Sequence, residues 1–228
     1  MANLISLIRC IIVFTIIALL FIWNESMIVY FIAFVFTIIA IVMDGLDGYI
    51  ARKYNLASKL GAVVDIIGDR IVENVYWIAF AALGWVNVAI PIIVVTRGIT
   101  VDGIRSVALE RGMTAFGKTT MMKTKLGKFL VASNFSRGAY AAFKGIAFSL
   151  LIIAHLPGWE PNIFKTFIYY FAYISVYITV FLCLIRGFPV IIEGKQLFEE
   201  EASERMGPEQ GNDQEQATAN QELRESHS

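Results

Sequence analysis

Long apolar runs decide most of what this chain can become. A membrane crossing needs about 20 mostly apolar residues, and six stretches meet that need: 4–23, 27–43, 59–83, 85–109, 137–156 and 163–185. The third and fourth are polar in one half. Lipid supplies no water to satisfy open backbone groups, so these stretches must be helices. Hydrophobic residues make up 57% of the 228, against the roughly 45–50% of a soluble domain. The expectation is an all-α integral membrane protein with six transmembrane helices. A net charge of zero argues against nucleic acid as a partner. Cys10 and Cys183 lie far apart in apolar runs, and His155 and His227 are too few for the usual zinc sites.

Lys and Arg set the orientation. The turns 24–26, 84 and 157–161 contain neither, whereas 52–59 holds three and 97–137 holds eight, and Arg186 and Lys195 follow the last span. The positive-inside rule makes the basic segments cytoplasmic, and six spans then leave both termini there. The first span lacks a basic leader and a small-residue cleavage site, so it reads as retained. Pro91 is expected to kink the fourth span. The charge balance is also uneven along the chain. Residues 199–228 hold nine acids and two arginines. With almost nothing apolar to bury, that segment reads as a disordered acidic tail behind a membrane domain of residues 1–198.

Four aspartates stand where a membrane protein least tolerates them. Asp44 and Asp47 are three residues apart at the cytoplasmic end of the second span, and Asp65 and Asp69 are four apart at the start of the third. Each pair shares one helix face. The link 52–58 is short, so the two helices are expected to be antiparallel neighbours whose acidic faces meet. Ionised groups near a bilayer core are costly and mark function by default. Binding a cation compensates them most simply, and all-oxygen donors suit Mg²⁺ or Mn²⁺. Two such ions are a tool of phosphoryl transfer. Gly48 and Gly61 let a bulky ligand approach the backbone, and Arg52 can grip a phosphate with two parallel hydrogen bonds. Glu73 continues the Asp65–Asp69 stripe and is expected to pair with Arg70.

Written out, Asp44 to Asp69 reads D-x2-D-G-x2-A-R-x8-G-x3-D-x3-D. This resembles in full the signature of the CDP-alcohol phosphotransferase family. The segment 3–9, with Asn3, Ser6 and Arg9, resembles the family's N-terminal stretch beside the nucleotide pocket. The resemblance implies transfer of a phospho-alcohol group from a CDP-linked donor to a hydroxyl, with release of CMP. It implies Asp44, Asp47, Asp65 and Asp69 as ligands of two divalent metals, with Asp69 also as the catalytic general base. It implies Gly48, Ala51, Arg52 and Gly61 as CDP-binding residues, CDP-diacylglycerol as the donor and a homodimer as the assembly.

The acceptor is read from the basic region. The segment 96–108, with Arg97 and Arg105 two turns apart on one helix face, resembles the fourth span of phosphatidylglycerophosphate synthases. That likeness implies glycerol 3-phosphate as acceptor. Arg97, Arg105, Lys128 and Arg137 are the candidates to hold it, with Lys118 and Lys125 as further cations. Those synthases carry a Gly-Lys-x-Lys-Thr cluster next, and this chain has only Gly117-Lys118-Thr119 and Gly127-Lys128. Inositol phosphate or serine is therefore the alternative acceptor. A divalent-cation transporter is the reading from another class, but transporters carry polar groups near the midplane, often on paired repeats, and no such repeat is present here.

Overall fold

The computed structural model describes residues 2–53, 59–110, 124 and 127–225, with side chains described for most positions from 4 to 45 and from 61 to 195. Among the described residues the protein is all helical. Its helices are α1 (Ala2–Ile22), α2 (Met27–Lys53), α3 (Lys59–Ala82), α4 (Ala89–Glu110), α5 (Asn134–Ala154) and α6 (Ile163–Glu225), with a π-helical turn at Lys128–Ala132 before α5. Among the described residues, four helices are long and apolar enough to cross a membrane: α1, α2, α5 and the Ile163–Lys195 part of α6. The protein is an integral membrane protein.

The helices close into a ring. α1 packs on α2 and α3, α2 on α5, α5 on α6, α6 on α4, and α4 on α3. Each helix turns a stripe inward at helical spacing. On α1 that stripe is Ser6, Arg9, Val13, Ile16 and Leu20, all buried, while Leu4, Leu7, Ile11 and Phe14 face outward. The inward stripe is polar for its first turns and apolar beyond. The main core fills the apolar end with Tyr76, Trp77 and Phe80 of α3, Phe148, Leu151 and Ile152 of α5, and Val176 of α6. Exposed aliphatic and aromatic side chains on the rim suit a lipid surround. The expected meeting of the second and third spans is seen directly, since Thr37 of α2 and Tyr76 of α3 share a buried hydrogen bond at 2.8 Å. α1 packs on both of them as well.

The helix ends explain the turns. Gly84 takes φ +75°, a left-handed conformation that suits glycine. Trp85 N–H then donates to Phe80 O at 2.8 Å and Gly84 N–H to Ala81 O at 3.0 Å. These two bonds close α3 in a Schellman motif, with its customary apolar contact supplied by the Phe80 and Trp85 rings, 5.1 Å apart. Asn87 Oδ1 accepts from Ala89 N–H at 2.9 Å, so α4 starts after the expected span boundary at residue 85. Pro91 accordingly falls in the first turn of α4, where its missing N–H has no helical partner to lose, and it is not a mid-span kink. Ser133 Oγ accepts from Ser136 N–H at 3.1 Å and caps α5.

α6 continues to Glu225, through the segment whose composition reads as disordered. Glu, Gln and Ala are good helix formers, and a helix already nucleated by packing extends at little further cost.

Candidate functional site

The site lies at the polar end of the ring and is assembled by three helices. α2 brings Asp44, α3 brings Asp65 and Asp69, and α1 inserts Arg9 between them. Arg9 is 1% exposed. Its Nη1 pairs with Asp44 Oδ1, and its Nη2 donates to Asp69 Oδ1 at 2.5 Å. Asp65 instead accepts from the Ser6 hydroxyl at 3.3 Å. Gly68 packs directly against this pair: a Cβ there would be in ordinary contact with Arg9 Nη2 at 3.5 Å and Ser6 Cβ at 3.7 Å. The two acidic faces are thus joined through a guanidinium supplied by α1.

A cavity of about 190 Å³ opens beside this cluster. Arg9, Asp44, Gly45, Asp69 and Lys144 give it charge and space, while Tyr76 and Phe148 are among its apolar lining. The side chains of Asp44 and Asp69 remain 43% and 46% exposed, although Arg9 is sealed. Among the described residues, no three His, Cys, Asp or Glu side chains gather into a metal-binding group. Two carboxylates from different helices nevertheless converge on one positive charge, and that donor type suits a hard divalent cation. Asp47, Gly48, Ala51 and Arg52 lie on the α2 backbone, and their side chains lie outside the described residues. Gly61 is half-buried near the start of α3.

A second charged network braces the wall. Glu73 is 3% exposed and accepts from the Tyr140 hydroxyl. Its carboxylate also lies 3.6 Å from Lys144 Nζ and 3.7 Å from Arg70 Nη1, so it has the expected partner and two more. Arg70 reaches across to α4 and donates to both oxygens of Asp102, at 2.7 and 2.9 Å. This forked geometry fixes orientation as well as charge. α3, α4 and α5 are thereby tied together at the polar end.

None of the four acceptor candidates lines the aspartate cavity. Arg97 lies on the wall of a separate apolar groove of about 840 Å³ between α4 and α6. It packs so closely on α6 that a Cβ at Gly187 would come within 2.7 Å of Arg97 Nε. Arg105 lies 3.9 Å from Asp102 and feels the like charges of Arg97, Arg70 and Arg186. Arg186, in turn, feels Arg97 and Arg137 and stands over the Tyr140 ring at 5.5 Å. Arg137 occupies the first turn of α5, and Lys128 is exposed on the π-helical turn. Lys118 and Lys125 lie outside the described residues. The structure therefore groups Arg97 and Arg105 with Arg70 and Arg186, two arginines that sequence spacing did not nominate as acceptor ligands. Lys144 was not nominated from the sequence, and Arg9 was placed near the site only by the resemblance of residues 3–9, with no role of its own. The signal for both was a lone cation inside an apolar run, which a membrane helix rarely carries without a purpose.

A helical membrane protein with carboxylates and arginines gathered at one end of its bundle is built to handle charged groups at the membrane surface. Within that class, the family model for CDP-alcohol phosphatidyltransferase matches residues 1–186. The chain belongs to that family. Among its relatives is the CDP-diacylglycerol–glycerol-3-phosphate 3-phosphatidyltransferase of Rickettsia typhi, 31% identical over 123 residues, which are 54% of this chain and 68% of that protein. The protein of the same name from Bacillus subtilis is 26% identical over 150 residues, 66% of either chain. That from Mycoplasma pneumoniae is 37% identical over 81 residues. The match spans only about a third of the Mycoplasma protein, 36% of its length.

Proposed function

We propose that the protein transfers a phosphatidyl group from CDP-diacylglycerol to glycerol 3-phosphate and releases CMP. The observation that carries this reading is the meeting of Asp44 and Asp69 on one cation at the open end of a membrane bundle, in a chain of this family. The names of the relatives from Rickettsia typhi and Bacillus subtilis support the donor and the acceptor. The grouping of Arg97, Arg105, Arg70 and Arg186 favours an acceptor that itself bears a phosphate, which argues against serine.

In the reaction, the acceptor's primary hydroxyl attacks the donor's β-phosphorus. The bond from that phosphorus to the oxygen bridging it to the CMP phosphate breaks, and CMP leaves. Asp69 takes the hydroxyl proton, a role worth about 10²–10⁴-fold for a well-positioned base. Two divalent cations, Mg²⁺ or Mn²⁺, held by Asp44, Asp47, Asp65 and Asp69, would neutralise phosphate charge. Gly48, Ala51, Arg52 and Gly61 seat the CDP moiety. Arg97, Arg105, Lys128 and Arg137 are the residues assigned to draw in the acceptor phosphate. Six spans, with both termini and the site on the cytoplasmic side, agree with the distribution of Lys and Arg. The membrane domain ends near residue 198 ahead of the acidic segment 199–228, and the working assembly is a homodimer.

The test is CMP release from CDP-diacylglycerol by the purified protein with Mg²⁺ or Mn²⁺, across glycerol 3-phosphate, inositol phosphate and serine. Release with glycerol 3-phosphate that is lost in Asp69→Asn is the expected result. Release with another acceptor alone would overturn the acceptor, and release with none would overturn the donor.

A further inference from the structure

Arg9 is unusual among the charges of the site because it is the most deeply sealed and yet incompletely satisfied. Its side chain is 2% exposed, against 43% and 46% for the two carboxylates it holds. Its Nε is buried with no hydrogen-bond partner among the described residues. Among the described residues, its ion pairs are with Asp44 and Asp69, from two different helices. Removing the partners of a buried charge costs far more than the pair is worth. Asp44 and Asp69 therefore cannot give the same oxygens to another cation without leaving Arg9 uncompensated.

We infer that Arg9 is an internal counter-ion that competes with divalent cation for Asp44 and Asp69. The inference rests on the metal-dependent reading of the site given above. With Arg9 on the carboxylates, part of the negative charge of α2 and α3 is offset from within the protein. When a divalent cation takes those oxygens, the guanidinium must withdraw, and the space beside Gly68, where Arg9 Nη2 lies, would have to be rearranged. Metal affinity is thus set partly by α1, a helix that supplies no carboxylate to the site. A lysine at this position has one ammonium in place of a planar fork and bridges two carboxylates less well.

The experiment is Mn²⁺ binding to the purified full chain in detergent, read by the electron paramagnetic resonance signal of free Mn²⁺. It needs no turnover. Arg9→Gln should bind Mn²⁺ about tenfold or more tightly than the parent, since charge-assisted hydrogen bonds are among the stronger competitors for a carboxylate. Arg9→Lys should fall between the two. Without metal, Arg9→Gln should melt below the parent and gain more on Mn²⁺ addition. If folded Arg9→Gln binds Mn²⁺ no more tightly than the parent, the inference is overturned while the metal site stands. If Arg9→Gln does not fold, equal affinities for Arg9→Lys and the parent overturn it instead. If neither the parent nor the Arg9 variants bind Mn²⁺, the metal reading itself falls and the inference with it.

Discussion

Alanine at Gly194 should damage the protein although alanine is the better helix former. Gly194 lies on α6 where that helix meets α4. A Cβ there would lie 2.5 Å from Ile104 Cγ2 and 3.3 Å from its Cδ1, whereas carbon atoms are comfortable at about 3.5–4.0 Å. Ile104 cannot swing away, because a β-branched side chain in a helix has one strongly preferred rotamer. It is also packed against Val101, Ala108, Val131 and Val190. The helices themselves must therefore separate by about 1 Å. Overpacking of this kind costs about 1–3 kcal/mol. A loss of about 2 kcal/mol lowers the melting midpoint of a chain this size by about 4–8 °C. Gly103 is the control: it is also helical, but a Cβ there would meet nothing within 4 Å, so Gly103→Ala should gain about 0.5–1 kcal/mol. Adding Ile104→Ala to Gly194→Ala should recover part of the loss, with a coupling of about 1–2 kcal/mol. The assay is thermal melting in detergent followed by size-exclusion chromatography. Because α4 carries Arg97 and Arg105 and α6 carries Arg186, the same shift should raise KM for the acceptor. A Gly194→Ala protein that melts with Gly103→Ala, or shows no coupling to Ile104, would refute the reasoning.

Other perturbations have equally definite outcomes. Glu73→Ala leaves Lys144 and Arg70 short of a buried anion and should cost about 3 kcal/mol, read by the same melt; Glu73→Gln, which still accepts from Tyr140, should cost less. Gly84→Ala forces a Cβ into the left-handed turn at φ +75° and should cost about 1–2 kcal/mol. Chelation with EDTA should abolish CMP release, and Mg²⁺ or Mn²⁺ should restore it; release that survives chelation would remove the metals from the reaction.

The helical course of the chain was legible from hydrophobic length, although among the described residues only four of the six expected spans are long and apolar enough to cross a membrane. The start of α2 at Met27, of α3 at Lys59 and of α6 at Ile163 all coincide with boundaries read from the sequence. The start of α4 was misread, since the Trp85–Val86 pair is as apolar as a helix yet belongs to the turn that Gly84 opens and Asn87 closes. The aspartate motif was plain from spacing alone, and so was the pairing of Glu73 with Arg70. What spacing could not reveal was the part played by α1. A short link between two spans suggests that they touch, as Thr37 and Tyr76 do, but only three-dimensional packing brings Arg9 to Asp44 and Asp69. Arg70 and Arg186 joined the arginine group for the same reason: they come from helices distant in sequence, and a one-dimensional pattern cannot register a ring.

The aromatic floor of the aspartate cavity has an electrical consequence. Tyr76 and Phe148 line that cavity and stack at 4.7 Å, and Trp77 and Phe80 close on Phe148 from deeper in the bundle. The one hydroxyl among these rings, on Tyr76, is occupied by Thr37 Oγ1 at 2.8 Å, so it offers no ready step for a chain of water. The charged end is therefore backed by closely packed aromatic rings of low polarity. A wall of this kind disfavours the passage of ions toward the apolar end of the bundle, so a charged ligand is expected to enter and leave on the polar side.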